Sequence, residues 1–183
     1  VYGGGVYTLT NNIFANNHAN VAGGGLWFGG LTDAPAVARL RHNTVAANTE
    51  GGGNVGQGIH IAGYATLALT NTIIADHPDV GLYAVSGSTA TLQATLWYGN
   101  SSDTSGPGHV VIGTINVNDD PAFVDPTAWD YHLSADSAAI DEGLEAGVTA
   151  DIDGQPRPMG LGYDLGADEY GYPVYLPLLS RQA

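Results

Sequence analysis

The chain has no cysteine, no lysine and a single methionine, and its four basic residues in 183 are all arginine: Arg39, Arg41, Arg157 and Arg181. Each shortage excludes something. Without cysteine there is no disulfide, no thiolate zinc site and no thiol nucleophile. Four cations against 18 acidic residues leave a formal net charge of −14. Neither nucleic acid nor an anionic membrane surface is therefore an expected partner, because phosphate recognition needs a basic footprint. No apolar run approaches the length of a membrane span. The sequence begins at Val1 without a Met and without a signal-type apolar segment, and so reads as a processed chain or a fragment of a longer one. With 44% apolar residues the chain is not disordered by composition, and its length suits one domain with a sizeable core.

What is abundant is glycine, at 27 residues, and it recurs. Gly-Gly-Gly occurs at 3–5, 23–25 and 51–53. A second motif repeats as Asn11-Asn12-Ile13-Phe14-Ala15-Asn16, Asn43-Thr44-Val45-Ala46-Ala47-Asn48 and Asn71-Thr72-Ile73-Ile74-Ala75-Asp76, with a degraded copy at 94–100. A short alternating run precedes each: 7–10, 37–40, 66–69 and 89–92. Thr, Val and Ile favour strands, while Gly and Asn are poor helix formers. Short strands broken by Gly and Asn every 20–30 residues or so predict stacked coils, in which each turn buries its apolar face only against its neighbours. The expected fold is all-β, a right-handed parallel β-helix of about four to five coils. The usual crossover rule supplies part of the case for the handedness. Alternation places Leu9, Leu40, Leu69 and Leu92 inward, and Ile13, Val45, Ile73 and Leu96 in a second inward column. Asn11, Asn43 and Asn71 are expected at one corner as a structural ladder, since Asn tolerates left-handed backbone and bonds neighbouring chain.

Beyond about Asn118 the repeat stops. Residues 119–172 are rich in turns, with a short helical turn expected near 137–142, and are read as a cap over the open end of the coils, which occupy 1–118. Residues 173–183 form an extended apolar tail. Its core, Val174, Tyr175, Leu176, Pro177, Leu178 and Leu179, is the candidate interaction segment, suited to adding an edge strand to a neighbouring copy.

Five ordered motifs in this second part are Asp-Pro-Ala-Phe-Val-Asp-Pro at 120–126, Asp-Tyr-His-Leu at 130–133, 137–143 (Ser-Ala-Ala-Ile-Asp-Glu-Gly), 151–158 (Asp-Ile-Asp-Gly-Gln-Pro-Arg-Pro) and 164–169 (Asp-Leu-Gly-Ala-Asp-Glu). Together they resemble the choice-of-anchor Q domain, a C-terminal module of bacterial surface proteins in the right-handed parallel β-helix, pectate-lyase-like superfamily. Ala138 stands where that family usually has Pro. The resemblance implies the handedness, a secreted or cell-surface location and a variable C-terminal anchoring signal. The 175–180 segment is similar to the C-termini of such proteins in filamentous phototrophic and related thermophilic bacteria. The family carries no assigned reaction.

The chemistry weighed in the residues leans away from catalysis. A lyase on this fold would use Arg or Lys as base beside calcium-binding carboxylates. Lysine is missing, and Arg39 and Arg41 share an outward face, with His60 expected about one coil away. Asp33, Glu50, Asp76, Asp79 and Asp103 fall mostly in loops. A hydrolase would need two carboxylates near one bond, and the Asp119-Asp120 pair leads into a turn at Pro121. Calcium is the better ligand reading. Asp151 and Asp153 form half of a calcium loop, and Asp164, Asp168 and Glu169 could add oxygens. The favoured alternative has these side chains closing turns around Arg157 as a structural ion-pair centre, with Asp151, Asp153, Asp164 or Asp168 as its partner and no cofactor. The six histidines show no metal-ligand spacing. One of Trp27 and Phe28, and one of Trp97 and Tyr98, must point out of its strand, where it either stacks on a sugar or lies under a neighbouring loop.

The expected function is a non-catalytic extracellular structural or adhesive module, self-associating or attached to the cell surface, and possible as a filament or surface-layer subunit. The rival is a polysaccharide-binding or pectate-lyase-like glycan-active protein.

Overall fold

A computed structural model describes residues 3–51 and 56–171. These residues are all-β, built on parallel sheets through which the chain passes repeatedly. The first pass lays down β1 (Gly5–Thr10), β2 (Ile13–Ala15), β3 (His18–Ala19) and β4 (Leu26–Phe28). The second repeats them as β5 (Ala36–Arg41), β6 (Thr44–Ala46), β7 (Thr49–Glu50) and β8 (Ile59–Ile61). In the third, β9 (Ala65–Ala75) spans the first two positions, and β10 (Val80–Ala84) follows. The fourth contributes β11 (Thr89–Tyr98) and β12 (Ser102–Ser105), and a short fifth β13 (His109–Ile112) and β14 (Asn116–Val117). One sheet runs in the order β1-β5-β9-β11-β13, with β2, β6 and β14 continuing it, and a second runs β12-β10-β8-β4. Every pairing between passes is parallel.

Register stacks like on like. Leu9 pairs with Leu40, Leu40 with Leu69, and Leu69 with Leu92. Leu26, Ile59 and Leu82 form the facing column on the second sheet. Leu40, Leu67, Leu69, Ile59, Ile61 and Leu82 are fully buried in one core between the two sheets. Each such side chain stabilises the fold by about 1.5–3 kcal/mol relative to exposure.

The expected second column divides. Ile13 pairs with Thr44, Thr44 with Ile73, and Ile73 with Leu96. Phe14, Val45, Ile74 and Trp97 form the adjacent column. Only the second of these faces the interior; Ile73 and Leu96 belong to a separate apolar cluster on the outside of the sheet. Left-handed residues cause the change. Asn11, Asn71 and Ala94 have φ of 53°, 54° and 56°, His42 at the equivalent place has 51°, and the bend they make resets which neighbours point inward.

The outside cluster is covered by the C-terminal segment. Its first part is the antiparallel pair β15 (Phe123–Asp125) and β16 (Asp130–Leu133), joined by a 3₁₀ turn at Pro126–Ala128. Asp125 caps that turn by accepting from the N–H of Thr127 and of Ala128. Where the short helical turn is expected, residues 138–141 form a turn, with the Ile140 N–H on the Ser137 carbonyl (3.4 Å). This segment is not a lid over the last coil. It contacts all four longer passes: Asn16 donates to the Tyr131 hydroxyl (2.8 Å), Asn11 to the Ala150 carbonyl (2.6 Å), the Ala167 N–H to Thr44 (3.1 Å) and the Gly166 N–H to the Asn71 carbonyl (3.0 Å), while Leu96 packs in the same cluster as Leu133 and Leu165. The outer edge of β13 has no partner strand among the described residues, and its Val111 and Ile112 are 42% and 48% exposed. A side chain at Gly166 would put its Cβ 2.6 Å from Ile73 Cδ1, so glycine lets this loop lie flat on the sheet.

Candidate functional site

The acidic residues that set this protein's charge gather in the segment on the flank, and most of them bind backbone. Asp151 Oδ1 accepts from the N–H of Asp153 and of Gln155, and its Oδ2 from Glu169 N–H (3.1 Å). Asp164 takes the N–H groups of Asp141 (2.7 Å) and Tyr170 (2.6 Å), one on each oxygen. Such bonds supply partners to a loop that has no sheet ladder. Burial raises the Asp164 carboxyl to about 7 against the pull of these two donors. At the centre, Arg157 Nη1 meets Glu169 Oε2 at 2.6 Å, with both side chains fully buried. Arg157 Nη2 also donates to the Gly166 carbonyl (3.0 Å), and Glu169 accepts the N–H of Met159 and of Asp164. The partner of Arg157 is thus Glu169, not one of the four aspartates. Glutamate reaches the guanidinium while its neighbours hold shorter turns.

Asp153 and Asp168 do something different. They converge with His132 so that one ligand atom from each lies within 4.8 Å of the others. His132 sits on β16. Its Nδ1 is 2.5 Å from Asp130 Oδ1, and its Nε2 is 2.8 Å from Asp153 Oδ2. Asp130 also accepts the His132 backbone N–H (3.1 Å), so one carboxylate fixes both the backbone and the ring. Asp168 is 5% exposed and accepts the Leu133 N–H (2.8 Å) through Oδ2. The hydrogen bond to Asp130 raises the His132 pKa first, with the charges of Asp168, Asp153 and Asp130 adding to it against burial. Burial raises that of Asp168. The aspartates among the calcium candidates therefore separate into two that brace loops, Asp151 and Asp164, and two that face a histidine, Asp153 and Asp168.

The expected Asn ladder is out of step by one residue. Asn11 and Asn71 share a register position with His42, and Asn43 pairs one place later, with Asn12. Asn43 Oδ1 accepts the Asn12 N–H (3.0 Å), and its Nδ2 donates to the carbonyls of Leu9 and Arg41, both at 2.9 Å. Asn71 turns outward instead and exchanges bonds with Leu144: Nδ2 to its carbonyl (2.6 Å), and Oδ1 from its N–H (2.8 Å). A longer ladder lies at the next corner. Asn48 accepts the Asn17 N–H and donates to the Phe14 carbonyl, and its Nδ2 lies 3.4 Å from His77 Nε2. His77 Nδ1 is 2.8 Å from Asn100 Oδ1, and Asn100 donates to the Ile74 carbonyl. Burial lowers His77 to about 4, so the ring is neutral, with Nδ1 assigned as donor from this network.

Arg39 and Arg41 lie on β5 beside Thr8 and Ala68, and beside Thr10 and Thr70, with no carboxylate in register. His60 is on the other sheet. Its ring stacks between Trp27 (6.3 Å) and Tyr83 (5.6 Å) in successive strands. Phe28 and Trp97 are buried, while Trp27 is half-buried and Tyr98 is 38% exposed. Val174, Tyr175, Leu176, Pro177, Leu178 and Leu179 lie outside the described residues.

Sequence reasoning passed over three roles: Glu169 as the partner of Arg157, the His77 link in the second ladder, and His132 as a meeting point. Register could have found His77, since Asn48, His77 and Asn100 follow their motifs at matching places. Nothing in the spacing of 132, 153 and 168 announces a cluster. No protein-family model, curated protein or solved structure matches the chain.

Proposed function

We propose that the parallel passes form a right-handed β-helix, and that the chain is a non-catalytic structural or adhesive module of a secreted or cell-surface protein of the choice-of-anchor Q kind. The observation that carries this reading is the use to which the carboxylates are put. Asp141, Asp151, Asp164 and Glu169 each accept backbone N–H groups from neighbouring loops. Side chains so engaged hold a shape and are not disposed to exchange protons with a substrate. The arginines that a lyase would use stand among Thr and Ala. The tail at 174–179 is read as the attachment or self-association segment, joining copies by strand addition. Calcium has no part in this reading.

A second reading, glycan binding without cleavage, draws on the Trp27–His60–Tyr83 stack along the outer face of the second sheet. Three experiments test these readings. Oligogalacturonates incubated with the protein and calcium should give no unsaturated product, and product that depends on Arg39 would end the non-catalytic reading. Light scattering of the full chain against one ending at Tyr172 should show assembly only with the tail. A full chain that stays monomeric at high concentration would remove self-association, and glycan retention lost in Trp27→Ala would favour the second reading.

A further inference from the structure

We propose that His132, Asp153 and Asp168 form a binding site for one first-row divalent transition-metal ion of the zinc type, which clamps the C-terminal segment together. The site unites three stretches distant in sequence: β16, the turn after Asp151 and the loop that ends in Glu169.

Its geometry is that of a histidine ligand with its supporting carboxylate. A metal-binding imidazole usually donates its second ring N–H to a carboxylate, which sets the tautomer and aims the ring. Here Asp130 holds Nδ1 at 2.5 Å and the backbone N–H of the same residue at 3.1 Å. Nε2 is left facing Asp153 at 2.8 Å, with an Asp168 oxygen in the same group. An ion there would take the place of a proton on Nε2 facing Asp153. Asp168 is 5% exposed, and its Oδ2 takes the Leu133 N–H. Two carboxylates, Asp153 and Asp168, thus converge with one ring nitrogen, while the buried Arg157 is already bound to Glu169. One nitrogen and two carboxylate oxygens, with a fourth position for water, make a tetrahedral set. Calcium wants six to eight oxygens or so. The other two aspartates among the calcium candidates cannot provide them, because both oxygens of Asp151 and of Asp164 hold backbone N–H groups.

The test is calorimetric titration of the EDTA-treated, dialysed full chain with ZnCl₂ and, separately, with CaCl₂, alongside melting temperatures and the visible spectrum with CoCl₂. One zinc per chain, a raised melting temperature and a tetrahedral cobalt spectrum are expected, with calcium giving none of these. Asp153→Asn alters a side chain that is 48% exposed, and the fold should stay intact. It and His132→Gln should each weaken zinc binding at least about tenfold, while His109→Gln, on an exposed strand, should not. No zinc uptake, uptake indifferent to Asp153→Asn, or binding of calcium in preference to zinc would each overturn the site. If His132→Gln fails to fold, Asp153→Asn and the cobalt spectrum still decide.

Discussion

The passes and the segment on their flank reach stability by opposite means. In the passes, pairing is repetitive: each strand binds the one before it, and Leu stacks on Leu. Polar groups are exceptions placed at corners, as Asn43, Asn48 and Asn100 are. In the flank, regular pairing ends at Leu133, and side-chain carboxylates do what a sheet ladder does elsewhere. A repeating chain can thus tolerate few charges, and an irregular one needs them. The −14 net charge reflects a local building method.

The most disruptive way to sharpen that contrast is Arg157→Met. It leaves Glu169 buried without its cation, and a loss of about 3–5 kcal/mol is expected in denaturant unfolding. Hydrogen exchange should place the damage: the amides of Met159 and Asp164, which bind Glu169, should exchange fast while β9 stays protected. Uniform loss of protection would join the two regions into one unit. In the passes, Leu69→Ala empties part of a fully buried column and should cost about 2–5 kcal/mol. Asn43→Ala should cost about 1–3 kcal/mol, because the Asn12 N–H and the Leu9 carbonyl lose their partner. Equal midpoints for Asn43→Ala and wild type would remove the ladder from the account.

Acid should act on the seam between the regions. Burial, with the charge of Arg157 adding to it, holds His42 at about 3, and burial holds His77 at about 4, both below the usual 6.5. Between those values and 6.5 the unfolded chain binds more protons, so these two histidines stabilise the fold above about pH 6.5 and that contribution is lost as pH falls toward 4 and 3. Asp164, raised to about 7, works the other way: it favours folding below 3.8, and that contribution is lost as pH rises through about 7. His77→Gln should therefore flatten the acid limb of a melting-temperature profile, and an unchanged limb would assign it to the flank. The smallest effect is expected for the exposed Arg39→Ala, within about 0.5 kcal/mol.

The alternating Leu residues made the parallel passes readable, because period-two alternation and stacked repeats leave one solution for Leu9, Leu40, Leu69 and Leu92. The corner was not readable to the residue. Asn11 and Asn12 are both asparagine, and Asn43 matches either. That single slip also sent Val45 into the wrong column. The place of the flank was hidden for a related reason: Ile73 and Ile74 look alike in sequence, yet one faces the core and the other the C-terminal segment. At Arg157, five nearby carboxylates offered equal charge, and side-chain reach chose Glu169.

The central placement is that of residues 119–171 along the side of the passes and not across the outer edge of β13. The absence of cysteine makes it testable by crosslinking. Thr44→Cys with Ala167→Cys joins positions where Thr44 Oγ1 and Ala167 N are 3.1 Å apart. Ile112→Cys with Ala167→Cys joins positions that only a cover over β13 would bring together. Intact mass after mild oxidation, or after reaction with a short linker carrying two thiol-reactive maleimides, should show the first pair joined and the second free. The second pair joined and the first free would contradict the account.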